Sequence, residues 1–251
     1  RTPIPATMER FTVRSFVAPL RTGSFRKLVG MYLGQALAFD IVAATVLYYS
    51  LYVVLGANSQ VLLGIFIAVN VIAYPIVTWL VGRVSKQRVY ATLIPLALLG
   101  AAAVAFYPSD GAVALVYVFA FLLAAGMAGA QLMCWVMFPD VLDDAELTTG
   151  QRNAGSYAGL MTCIRGIAAA VVIQALGLVL QFTGYRTPVG NEVPVQPDTA
   201  VWGIRLFMLV GIIGLLTMGA IFARRYPLTR EVALANQVEL TRRRDAAARA
   251  E

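Results

Sequence analysis

"SYAGLMTCIRGIAAAVVIQALGLVLQF", residues 156–182, is apolar for nearly its whole length and carries one charge, Arg165. As a helix rising 1.5 Å per residue it is longer than the roughly 30 Å of hydrocarbon in a bilayer. A guanidinium cannot lose its proton to escape burial. At the bilayer centre the charge costs about 3 kcal/mol on insertion scales. The stretch therefore reads as a membrane span whose arginine has a partner or a ligand.

Five more runs of the same kind flank it, and the spans fall at about 28–55, 61–82, 88–107, 112–138, 154–182 and 200–223. The composition agrees: 59% of the 251 residues are hydrophobic and 13% charged. A soluble domain carries roughly 25% charged residues. Residues 1–27 read as a basic linker on the inner leaflet, and 224–251 as a solvated, partly amphipathic helical tail. Seventeen of the twenty Lys and Arg lie on one side of the membrane, in 1–27, in the segment 83–88, at Arg152 and in the tail. The opposite loops hold only Arg186. That bias predicts both termini in the cytoplasm.

The net charge of +7 does not point to nucleic acid, because the basic residues flank apolar runs and form no patch interleaved with aromatics. No histidine is present, which excludes His-based catalysis, metal ligation and proton relay in this chain. Cys134 and Cys163 each sit in an apolar run and suggest neither a disulfide framework nor a metal site. Neither a nucleophile elbow, a zincin motif nor a phosphate-binding glycine loop appears, so an enzyme is not expected.

Between the fourth and fifth spans, "FPDVLDDAELTTGQRNAG" (138–155) breaks the basic trend of that side. Helix capping accounts for acids at helix starts and glycine at stops. The spacing is more particular: Asp140, Asp143, Glu146, Gly150, Arg152 and Gly155 follow D-x-x-D-x-x-E-x-x-x-G-x-R-x-x-G. This resembles the signature loop of the glycoside–pentoside–hexuronide:cation symporters, the melibiose-carrier-like branch of the major facilitator superfamily. "LYYSLYVVLG" (47–56), Pro75 with Trp79 and "GRVSKQR" (82–88), and "RRYPLTRE" (224–231) resemble further parts of it. Arg165-Gly166 stands where the family commonly has Lys-Gly. Gln131 stands where the melibiose carrier has a sugar-binding tryptophan, which counts against a galactoside.

The resemblance implies an all-α membrane protein of six transmembrane helices, forming the carboxy-terminal half of a twelve-helix bundle. Its implied work is alternating-access symport of a glycoside or other polar organic solute in a bacterial cytoplasmic membrane. No cofactor is expected. The coupling ion would be H⁺ or Na⁺, held largely by the amino-terminal half. The expected partners are that six-helix half, on the same or a separate chain, the bilayer and a small polar solute. Two alternatives stay open: a lysolipid or amphiphile transporter of the same family, and a non-transporting six-helix fragment that assembles with a separate half.

Helical rise also gives depth. Asp40, Asn70 and Arg165 each lie about 11–12 residues, or roughly 17–18 Å, from the cytoplasmic end of their spans. Transporters bind substrate near that level. Asp40, Asn70, Gln131 and Arg165 are the candidate substrate-binding residues, with Asp40–Arg165 readable either as a structural pair or as a coupling device. Gln35, Gln131 and Gln174 also suit the role of interhelical glue. Asp140, Asp143, Glu146 and Arg152 are the candidate cytoplasmic gate. Tyr48, Tyr49 and Tyr52 suit an interfacial belt or, for one facing a cavity, sugar stacking.

Overall fold

Inside a bilayer each span must satisfy its own backbone, which leaves the helix as the form for these apolar runs. The computed structural model describes residues 16–81, 83–84, 86–150, 153–188 and 194–249. A short 3₁₀ turn (Ala18–Arg21) leads into α1 (Gly23–Tyr48), which runs on through a π-helical turn at Tyr49–Val53. Then come α2 (Ser59–Val81), α3 (Lys86–Ala105), α4 (Val113–Thr149), α5 (Ala154–Phe182), α6 (Asp198–Arg224) and the tail helix α7 (Arg230–Ala248). The first six are long and apolar enough to cross a membrane, and no strand occurs among the described residues.

α4 is the centre of the bundle. It packs on α3, α2 and α1, and its carboxy-terminal part carries α7. α6 joins α1 and α3 from the other side. α5 touches only α1, α6 and the short 3₁₀ turn to any extent and leaves most of its apolar surface open. The α3–α4 crossing is close because glycines line it. A Cβ on Gly126 would strike the Ala97 backbone, and one on Gly100 would meet the Leu123 nitrogen at 2.5 Å. Small residues let helices approach in this way. Gly126→Leu is expected to cost about 3 kcal/mol, seen as loss of the monodisperse peak in detergent size exclusion. A wild-type profile would refute the close contact.

The segment 138–155, expected as a loop, is helix as far as Thr149. α4 has 37 residues and ends at Gly150, whose φ of 73° closes it in the left-handed conformation. The three-residue spacing of Asp140, Asp143 and Glu146 is thus a helical face, and Asp140 and Asp143 are buried on it. Charge ended the apolar span but not the helix.

The tail is also not free in solvent. Arg244 donates from Nη2 to both carboxylate oxygens of Glu146 at 2.9 Å, and Ala233 and Leu240 are buried. At the start of α1, Ser24 donates to Asp144 Oδ2 at 2.6 Å, and the Thr22 and Tyr157 hydroxyls lie 2.8 Å apart. These contacts tie the start of α1, the end of α4 and the start of α5 together. Residues 1–15 of the basic linker and Arg152 of the expected gate lie outside the described residues.

Candidate functional site

Asp40 sits in the middle of α1 and Arg165 in the first half of α5. The helices bring them into contact: Arg165 Nη2 donates to Asp40 Oδ1 at 2.8 Å. This is the contact that fastens the loosely packed α5 near its polar level. It engages one corner of each group. Asp40 Oδ2 is buried with no hydrogen-bond partner. The Arg165 side chain is 38% exposed against 18% for Asp40, and its other N–H groups have no protein acceptor among the described residues. Next to it, Gly166 has open space where a side chain would be.

The other expected residues do not join this pair. Asn70 turns its amide back on α2, donating to Phe66 O at 2.7 Å, and its Oδ1 is buried without a donor. Gln131 on α4 is half-buried and makes no hydrogen bond among the described residues. Gln35, expected as interhelical glue, is fully buried and neither amide atom has a partner. Gln174 is exposed on α5. Aromatic rings flank the site: Phe39 meets Phe66 edge-on at 6.2 Å, and Tyr32 meets Trp135 at 5.7 Å. Among the described residues no group of three or more His, Cys, Asp or Glu is placed to hold a metal ion.

Where α1 ends, Tyr49 turns inward and donates to Val104 O at 2.7 Å. Tyr48 and Tyr52 pack edge-on against Tyr185 instead, with 3.2 Å between the Tyr52 and Tyr185 hydroxyls. Burial foremost, then that hydrogen bond, raises the pKa of Tyr185 above its ordinary value. At the opposite end the buried Tyr226 phenol has no hydrogen-bond partner. Burial first, then Asp140 and Asp144, pushes its pKa up as well.

Sequence reading passed over two polar anchors. One is Arg205 on α6, buried against the end of α3. The other is the Arg244–Glu146 bridge from tail to α4. An arginine inside an apolar run was a signal for the first. The second had none, because its partners are about a hundred residues apart.

A family model described as "MFS/sugar transport protein" matches residues 12–230. The chain belongs to this family. Six membrane-length helices are what one half of a major facilitator bundle contains, and the resemblance carried by the acidic segment holds. An uncharacterized symporter of Synechocystis sp. is 32% identical over 220 residues, covering 83% of this chain and 39% of the relative. A protein of Salmonella typhimurium whose name assigns it sulfoquinovose import is 28% identical over 225 residues, covering 86% and 46%. The human sodium-dependent lysophosphatidylcholine symporter 1 is 26% identical over 232 residues, covering 90% and 41%. The chain thus spans 39–46% of the length of these relatives. It is an integral membrane protein of a transport family.

Proposed function

We propose that this chain is the substrate-contacting half of a cation-coupled symporter, moving a polar organic solute that carries an oxyanion. The observation that supports it is Arg165, held at one corner by Asp40 while the rest of its donor fork stays open at 38% exposure. A guanidinium fork binds carboxylate, sulfonate or phosphate through two parallel hydrogen bonds. The compounds in the relatives' names, sulfoquinovose and lysophosphatidylcholine, carry a sulfonate and a phosphate respectively. A sulfonated or otherwise acidic glycoside is the first reading. The phosphate of the compound named for the human relative makes a lysolipid the second reading. The test is uptake by proteoliposomes of the full-length protein, with pH and Na⁺ gradients imposed separately. Saturable uptake of sulfoquinovose or lysophosphatidylcholine, but not of glucose, is the expected result. Equal uptake of glucose would overturn the oxyanion reading.

The protein works in this reading in a bacterial cytoplasmic membrane, with both termini inside and a second six-helix half completing the cavity. The basic bias supports the orientation. After Cys163→Ser, Ser109→Cys and Thr187→Cys are expected to react with an impermeant thiol reagent from outside, and Thr149→Cys is not. Labelling of Thr149→Cys alone in right-side-out vesicles would reverse the topology.

Asp140, Asp143 and Glu146, with Arg152, form the inner gate in this reading. Arg244 is exposed, so its bridge to Glu146 contributes about 0–1 kcal/mol. Glu146→Gln is therefore expected to leave expression and melting temperature unchanged while slowing transport severalfold. An unaltered rate would reduce the bridge to a surface contact.

A further inference from the structure

Arg165 and Asp40 form a neutral pair. Arg165 contributes one positive charge and Asp40 one negative, and they meet through a single hydrogen bond at 2.8 Å. An oxyanion that takes the guanidinium fork leaves the site with one negative charge too many. In a low-dielectric cavity that excess is costly. A buried carboxylate that loses its cationic partner sheds its charge by taking up a proton. Asp40 has a place for it: Oδ2 is already buried and accepts no hydrogen bond.

We infer that Asp40 is a proton carrier of this transporter: the substrate's oxyanion displaces it from Arg165, and the freed carboxylate binds one proton on its unpartnered oxygen. The inference rests on the oxyanion reading above. The charge balances, since one anion and one proton enter together and the site stays neutral in both states. At release on the far side the anion leaves, Asp40 gives up the proton to water, and the ion pair re-forms.

Among the described residues Arg165 is the cation paired with Asp40. Of the elements packed against α1, α5 supplies Tyr157, Cys163 and Arg165. α2 supplies Asn70 and Tyr74, and α4 supplies Tyr117 and Cys134 above its acidic cytoplasmic end. α6 has no titratable side chain between Arg205 and Arg224. On α1 itself the nearest such groups within the span are Tyr32 and Tyr48, both tyrosines. A hard metal cation fits less well than a proton. It takes about six oxygen ligands, whereas Asp40 Oδ2, Asn70 Oδ1 and, more than a turn away on α1, Gln35 Oε1 are the buried acceptors left without donors among these helices. A proton needs one lone pair.

The test uses purified full-length protein in weakly buffered solution, with sulfoquinovose as the first probe and lysophosphatidylcholine as the second. Binding of sulfoquinovose is expected to take up about one proton per molecule, read with a pH indicator dye. Asp40→Asn should abolish this uptake and Asp40→Glu should keep it. In proteoliposomes, an inward gradient of one pH unit should sustain about a tenfold accumulation. Binding to the wild-type protein without proton uptake, or proton uptake that persists in Asp40→Asn, overturns the inference. So does accumulation driven by Na⁺ with no proton movement. The wild-type stoichiometry decides even if the variants do not fold. If neither probe binds at all, the oxyanion reading itself fails and the inference falls with it.

Discussion

Arg205→Ala is expected to lower stability by about 3 kcal/mol, because hydrogen bonds to a charged group contribute about 1.5–3 kcal/mol each and the carbonyls it leaves are unmet. Arg205 is 7% exposed on α6. Its Nη1 donates to Ala105 O at 3.1 Å and Tyr107 O at 2.6 Å, and its Nη2 donates to Ser109 Oγ at 3.0 Å. Ala105 is the last residue of α3, where backbone carbonyls lack intrahelical partners and the helix dipole is negative. One side chain thus satisfies the end of α3, fixes the following loop and joins both to α6. Truncation leaves the carbonyls unmet and removes a charge-assisted contact with each. Arg205→Lys should recover part of the loss, since an ammonium can meet one carbonyl but not the whole fork. Thermal melting of the detergent-solubilised protein reads the effect. The counter-result has a structural route. A cavity of about 350 Å³ bordered by Pro108, Ser109 and Trp202 reaches Arg205. A variant that melts with the wild type would show that water from this cavity replaces the guanidinium.

Sequence made the vertical coordinate of this molecule legible, because a helix advances by a fixed rise. The six spans emerged from apolar length, and Asp40 and Arg165 were placed at one depth from opposite ends of the chain. The horizontal coordinate was not legible. Asn70 has nearly the same depth, yet its amide is folded back onto Phe66 O. Which way a side chain faces depends on how helices rotate against one another, and that is set by contacts such as Gly126 on Ala97. Helix ends were hidden for a different reason. Hydropathy marks where a helix leaves the hydrocarbon, whereas the helix itself ends where capping and packing fail. α4 continues to Thr149 because its acidic face is covered and α7 docks on it. Gln35 illustrates the same limit: an amide among apolar residues suggested a bond between helices, and the packing gives it none.

Arg165→Ala is expected to abolish transport, and the reason is separable from folding. Removing the guanidinium takes away the donor fork and strands Asp40, whose Oδ1 then joins Oδ2 without a partner. Breaking a fully buried pair costs about 3–5 kcal/mol. With Arg165 38% exposed, water screens part of that, so reduced but measurable expression is the expected outcome. Arg165→Lys keeps the charge and loses the planar fork, and about tenfold weaker substrate binding should follow. The double variant Asp40→Asn with Arg165→Ala carries neither charge. Its expression should return toward wild type, because no uncompensated carboxylate is left in the span. Its transport should not return if the arginine holds the substrate. A pair that only fastened α5 to α1 would behave differently, and the neutral double variant would then transport as the wild type does. Full uptake by Arg165→Ala alone would remove both roles and leave the arginine a side chain solvated by the cavity. Expression by fluorescence and uptake in proteoliposomes, measured on the same four proteins, distinguish these cases.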